Sequence, residues 1–280
     1  MILLADCGST KTDWSLVDHG KLIQQISTKG TNPFYQSEQE ISEEIKSALL
    51  PHLPSPAMEH LFFYGAGCMG DKIEIVRRAL SACLHFTGKM EVDTDMLAAA
   101  RSLCGHQPGI ACIMGTGSNS CAYDGENMLK NVSPLGFILG DEGSGAVLGK
   151  LLVGNVLKNQ LPSSLIDAFF EQYPLTRMEI LNRVYTKPYP NRFLASFAPF
   201  LQQHIDCPEI REMVVDSFKS FLKRNVMQYE GYDKYPIHFI GSIAYFHRKE
   251  LELAGKDLNI EIGKVERSPM KGLIAYHAND

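Results

Sequence analysis

Apolar positions fall in short runs that end in glycine- and hydroxyl-rich turns, and this arrangement occurs twice along the chain. Ile2 to Ala5 is an apolar run, closed by Asp6 and the turn Cys7-Gly8-Ser9-Thr10-Lys11-Thr12. Asp13 to Val17 and Leu22 to Ser27 read as strands, with Asp18-His19-Gly20-Lys21 as a hairpin turn between them. Ser37 to Leu50 places apolar residues at 41, 45 and 48 to 49 among acidic neighbours, the spacing of an amphipathic helix with Ser37 as N-cap. Leu61 to Tyr64 is a short apolar strand that runs into Gly65-Ala66-Gly67-Cys68-Met69-Gly70. Lys72 to His85 has helical spacing, Lys89 to Asp93 reads as a strand, and Thr94-Asp95 precedes the helix formers Met96 to Arg101. The order βββαβαβα predicts a mixed sheet with helices on its faces.

The pattern then restarts. Gly109 to Met114 is apolar, Gly115-Thr116-Gly117-Ser118-Asn119 is a second turn of phosphate-binding type, and Ser120 to Tyr123 resumes as a strand before Asp124-Gly125. Two such copies predict a duplicated domain whose turns face each other across a cleft. Residues 151–236 are mainly helical, with Ile210, Met213, Val214, Phe218, Phe221, Leu222 and Val226 on one face of a long helix. Strand character returns at Ile237 to Ile240, ending in Gly241-Ser242. A helix is expected from about Tyr245 to Leu253, a strand near Ile260 to Val265, and a terminal helix opened by Pro269.

Composition narrows the class of partner. At 280 residues and 45% apolar content the chain can bury the cores of two moderate domains. A net charge of −5, with no basic run interleaved with aromatics, argues against nucleic acid. No apolar run is long enough to span a bilayer, and the N-terminus has none of the zones of a secretory leader. Seven cysteines without a C-x-x-C spacing fit reduced thiols in a cytoplasmic protein. Nine histidines without an H-x-x-x-H pair give little support to a transition-metal site.

The turns carry the candidate chemistry. A carboxylate followed by Gly, Ser, Thr and Lys can surround a polyanion with N–H groups, hydroxyls and an ammonium. It is not a P-loop, because the G-x-x-x-x-G-K-[ST] pattern is missing and a strand, not a helix, follows. Gly115 to Ser118, Gly140-Asp141-Glu142-Gly143-Ser144-Gly145 and Gly241-Ser242 repeat the theme after further predicted strands. Plain turn chemistry would account for any one of them. By residue type alone, Asp95 is a helix N-terminal stabiliser, since carboxylates favour a first turn.

The order D-C-G-S-T-K-T, G-T-N, T-D, G-T-G-S-N, G-D-E-G-S-G and G-S resembles the N-acetylglucosamine kinase and BadF/BadG/BcrA/BcrD-type ATPase family of the actin, Hsp70 and sugar kinase superfamily. The resemblance spans nearly the whole chain. It implies an α/β fold of two duplicated, actin-like (ribonuclease H-like) lobes, mixed sheets flanked by helices. The lobes would span 1–107, with the C-terminal helix 269–280 as a candidate addition, and 108–268 with the helical insertion 151–236. It further implies that Asp6 holds Mg²⁺, that Gly8, Ser9, Thr10 and Lys11 cradle the β- and γ-phosphates of ATP, and that Thr116, Gly117 and Ser118 form the opposing turn. Gly241 and Ser242 would lie against the nucleoside, Asn32 and Asp141 would bond sugar hydroxyls, and Asp95 would be the catalytic carboxylate, itself touching the sugar.

The implied activity is phosphoryl transfer from ATP to an amino sugar, N-acetylglucosamine at its 6-hydroxyl, in a cytoplasmic enzyme for which a homodimer is the family's habit. Two rivals share the resemblance: an ATPase activator of a 2-hydroxyacyl-CoA dehydratase-type enzyme, and a non-catalytic sugar sensor. One segment departs from the sugar kinases of the family. Val132-Ser133-Pro134-Leu135-Gly136-Phe137 stands where they carry a glycine-rich stretch with a tryptophan.

Overall fold

A computed structural model describes residues 1–8, 11–54 and 57–278. The chain divides into two compact units, 1–108 with 124–128 and 269–280, and 109–123 with 129–268.

In the first unit, β1 (Ile2–Cys7), β2 (Lys11–Asp18) and β3 (Lys21–Lys29) form an antiparallel meander. α1 (Glu38–Glu44) begins at Ser37 with a full capping box, in which Glu40 answers the Ser37 N–H, and continues as a wider turn through Ile45–Leu49. β4 (Ala57–Met58) precedes β5 (His60–Gly65), α2 (Lys72–Ser81), β6 (His85–Phe86), β7 (Met90–Thr94) and α3 (Asp95–Cys104). The sheet order is β3-β2-β1-β5-β7, and β1, β5 and β7 run parallel. Parallel neighbours put the C-terminal ends of β1, β5 and β7 on one edge, where the sequence places Asp6, Gly65 and Asp95. The core beneath is Leu3, Ala5, Trp14, Phe63, Val76 and Leu80, with Trp14 and Phe63 rings 5.7 Å apart.

In the second unit, β8 (Gly109–Met114) and β9 (Ser118–Tyr123) are antiparallel, and β10 (Met128–Val132) follows. Next come α4 (Gly136–Leu139), α5 (Gly145–Leu157), α6 (Ser163–Gln172), α7 (Arg177–Tyr185), α8 (Pro190–Ala195), α9 (Ala198–Gln203) and α10 (Pro208–Arg224). The chain closes with β11 (Ile237–Ile240), α11 (Ser242–Phe246), α12 (Arg248–Asp257), β12 (Ile262–Glu266) and α13 (Met270–Tyr276), the last belonging to the first unit. The sheet order β10-β9-β8-β11-β12 repeats that of the first unit: first strand central, antiparallel partner on one side, parallel strands on the other. α10 shows why the helical block is stable. Pro208 opens it, Glu209 sits in its first turn, Lys223 and Arg224 sit in its last, and Ile210, Val214, Phe218, Phe221 and Leu222 are buried on one face.

Two boundaries differ from those expected. The first long helix of the block, α5, begins at Gly145 rather than 151, because Ser144 caps it by accepting from Val147 N, while Gly143, Gly145 and Gly149 dilute the helical signal in the sequence. The helix expected over 245–253 is two helices, broken at His247, whose backbone leaves helical geometry. None of the seven cysteines is in a disulfide, and six of them are buried. Among the described residues no helix is long and apolar enough to cross a membrane.

Candidate active site

In the first unit the site is built at the C-terminal edge of the sheet. Asp6 lies opposite Asp13 across the antiparallel β1–β2 pair and beside Tyr64 on β5. Like charges directly opposite one another repel. Asp13 is compensated by Lys11 Nζ at 2.7 Å and by the Ser27 hydroxyl, which donates to it at 2.6 Å. Among the described residues Asp6 has no such pairing. Burial first, then the negative charges of Asp95 and Asp13, push it up to about 7, with Lys11 pulling the other way. Asp95, the first residue of α3, is pushed up to about 6 by burial, held back by N–H groups of the helix start. Thr94 is the N-cap, accepting from Leu97 N, so Asp95 is not needed as the cap. Asp93 is engaged as well, accepting from Thr94 N.

Cys7 ties the first turn to the Gly30-Thr31-Asn32 loop. Its sulfur accepts from Thr12 Oγ1 at 3.0 Å and from Thr31 N at 3.2 Å, and the thiol lies 3.2 Å from the Thr31 carbonyl. Fully buried, the thiol is pushed up to about 11. This role was not visible in the sequence, where Cys7 is one residue of a turn. Asn32 in turn accepts from Phe34 N through Oδ1 and packs against Gly67, at which a Cβ would stand 2.8 Å from that oxygen. The loop after β5 is therefore glycine because the Asn32 side chain occupies the space. Gly8 closes the β1–β2 turn by donating to the Lys11 carbonyl at 2.9 Å. Ser9 and Thr10 lie outside the described residues.

In the second unit Gly115-Thr116-Gly117 joins β8 to β9, fixed from three sides. Gly145 N and Ala146 N, at the start of α5, donate to the carbonyls of Gly115 and Thr116 at 2.8 and 3.1 Å. Ser118 donates its hydroxyl to the Glu142 carbonyl at 2.8 Å, and its N–H, with that of Gly136, bonds the Asp141 carboxylate. Asp141 adopts a left-handed backbone, φ 54°, and stands against Gly117. Glu142 is paired with Arg224 at 2.8 Å. Gly241 lies directly on the turn: a Cβ there would be 2.2 Å from the Met114 carbonyl oxygen. Thr116 and Ser242 are both exposed and line one cavity of about 270 Å³, with Ala195, Pro199, Ile243 and Phe246 among its walls. A larger groove of about 510 Å³ beside α5 and α10 carries Glu209, Glu212 and Asp216, carboxylates that would repel a polyphosphate.

Asp6, Lys11, Asn32 and Asp95 thus gather in the first unit, and Thr116, Gly117, Ser118, Asp141, Gly241 and Ser242 in the second. In each copy a glycine turn follows the central strand of a five-stranded mixed sheet, the duplicated architecture of the actin, Hsp70 and sugar kinase superfamily. Comparison with known proteins agrees. A structure from Porphyromonas gingivalis, provisionally described as an N-acetylglucosamine kinase, is 49% identical over 100% of this chain and 99% of its own, with a TM-score of 0.97. One from Chromobacterium violaceum, described in the same way, shares the fold at 18% identity, 98% coverage of both chains and a TM-score of 0.73. So does a ROK family glucokinase from Streptomyces griseus, solved with glucose and AMPPNP, at 12% identity, 98% and 97% coverage and a TM-score of 0.56. No protein-family model and no curated protein matches the chain. The chain belongs to the N-acetylglucosamine kinase-like family of sugar kinases.

Proposed function

We propose that the chain is an ATP- and Mg²⁺-dependent kinase that phosphorylates an amino sugar, N-acetylglucosamine at its 6-hydroxyl. The observation that carries the reading is the pair of carboxylates, Asp6 and Asp95, brought together beside the first glycine turn in a chain 49% identical over its full length to a protein given that description.

Phosphoryl transfer asks a protein mainly for alignment and charge neutralisation. Asp95, ionised at neutral pH, accepts the hydrogen bond of the sugar hydroxyl and takes its proton as the new O–P bond forms and the bond to ADP breaks. Asn32 and Asp141 orient the sugar through its other hydroxyls. The first turn and Lys11, and in the second unit Thr116 and Gly117, hold phosphate oxygens, while Gly241 and Ser242 border the nucleoside cavity.

Asp6 fits the metal. Its carboxylate is partly buried and destabilised by neighbouring negative charge, which a divalent cation relieves. Among the described residues no group of three or more His, Cys, Asp or Glu side chains could hold a metal ion. That suits Mg²⁺, which takes one or two carboxylates and fills its shell with water and phosphate oxygens. Bound there, Mg²⁺ would neutralise charge on the phosphates.

The test is ADP release with ATP, Mg²⁺ and a panel of N-acetylglucosamine, glucosamine, N-acetylmannosamine and glucose. Release that depends on N-acetylglucosamine supports the reading. ATP hydrolysis that no sugar stimulates rejects it in favour of the ATPase-activator class.

A further inference from the structure

The cavity beside the second glycine turn contains a polar group that neither the turn nor the helices account for. His247, at the break between α11 and α12, lines it and is only 2% exposed. Its Nδ1 is buried, has no hydrogen-bond partner among the described residues, and stands 3.8 Å from Oε2 of Glu250, which is itself buried. Burial pushes the imidazole down to about 4, so the ring is uncharged at neutral pH. Ala195, Ala198, Pro199, Ile243 and Phe246 give the cavity apolar walls against which a flat ring can lie, and Thr116, Ser196, Gln202 and Ser242 are its other polar side chains. Ser196 is already engaged, donating to the Phe193 carbonyl at 2.7 Å.

A neutral imidazole has one N–H and one lone pair, and the group facing one nitrogen decides which the other presents. The oxygens of a carboxylate are hydrogen-bond acceptors. Glu250 therefore favours the proton on Nδ1 and leaves the lone pair on Nε2. Resting on the kinase reading, we propose that His247 selects the base of the nucleotide: Nε2 accepts from the 6-amino group of adenine, with Glu250 as the positioning residue that sets the tautomer. A 6-oxo purine would place an acceptor against an acceptor and be rejected.

The test measures binding of ATP, GTP and purine riboside triphosphate, which lacks any 6-substituent, by displacement of a fluorescent ATP analogue. Wild type should prefer ATP to both by about tenfold or more, the effect of one well-made hydrogen bond in a buried site. His247→Phe should bring the three nucleotides to within about threefold. Glu250→Gln, whose amide donates as readily as it accepts, should narrow the preference in part and shift the ¹⁵N signals of the His247 ring away from the Nδ1–H tautomer, with unchanged circular dichroism. Should His247→Phe not fold, the Glu250→Gln variant and the wild-type ratio of ATP to purine riboside triphosphate decide the matter. A wild-type preference for ATP that persists in the folded variants would overturn the role of His247, as would a wild type that does not distinguish ATP from purine riboside triphosphate. A wild type that binds no nucleotide overturns the kinase reading itself.

Discussion

The two glycine turns are copies in topology and opposites in chemistry. The turn of the first unit follows Asp6, which burial and the negative charges of Asp95 and Asp13 push up. The turn of the second unit is held by backbone bonds from α5, by the Ser118 hydroxyl and by the close approach of Gly241. One copy concentrates unfavourable charge and the other rigid geometry. On the proposed function, the contrast teaches that duplication supplies a scaffold while the reaction would draw on two unlike halves: a destabilised acidic half for the metal and the acceptor proton, and a preorganised half for the nucleotide.

The largest effect that could break this contrast is steric. Gly241 has φ 120° and no room for a Cβ, whereas at Gly8 a Cβ would meet, among the described residues, only the Lys11 carbonyl at 3.5 Å, an ordinary contact. Gly241→Ala should therefore cost roughly 3 kcal/mol or more and abolish nucleotide binding, while Gly8→Ala should stay within about 1 kcal/mol. Denaturation curves of the two variants, run side by side, check this. Equal losses would mean that the two turns are equally constrained.

The next effect is electrostatic and has the opposite sign. Asp6 and Asp95 titrate higher in the folded chain than unfolded, to about 7 and about 6, so protonation favours the fold. Their contribution to stability is fully present below the unfolded value near 4 and is lost as pH rises through 6 to 7. Asp6→Asn should raise the melting temperature at pH 8 by roughly 2–4 °C and leave it nearly unchanged at pH 4. Calorimetry at both pH values measures it; a lower melting temperature at pH 8 would show that Asp6 is paired rather than destabilised. The smallest effect concerns the support of the second turn. Ser144→Ala removes a buried N-cap from α5 and should cost about 1 kcal/mol, with a weakened KM for ATP and an unchanged KM for sugar.

Much of the scaffold was legible in the sequence, because alternating apolar runs and turn residues state strand and turn locally. Ser37 as the cap of α1 and the strand ends at Asp6 and Gly65 follow from near neighbours. What stayed hidden depends on residues far apart in the chain. The Cys7 sulfur meets Thr31 across 24 positions. Tyr64 meets the ring of His277 across 213 positions at 2.8 Å, next to the ion pair of Arg101 with Glu91, and so joins α13 to the first sheet. The start of α5 was masked by glycines that the motif needs for other reasons. His247 gave no signal, since a lone histidine in a helical stretch acquires meaning only from the cavity it lines.

The most direct test of the account is the formation of N-acetylglucosamine 6-phosphate from ATP, Mg²⁺ and the sugar, followed by ³¹P NMR in wild type and Asp95→Asn. The account predicts a sugar phosphate signal in wild type and a rate about 10²- to 10⁴-fold lower in the variant, with sugar binding retained. Product formation at the wild-type rate by Asp95→Asn, or none by wild type with any amino sugar, would contradict it.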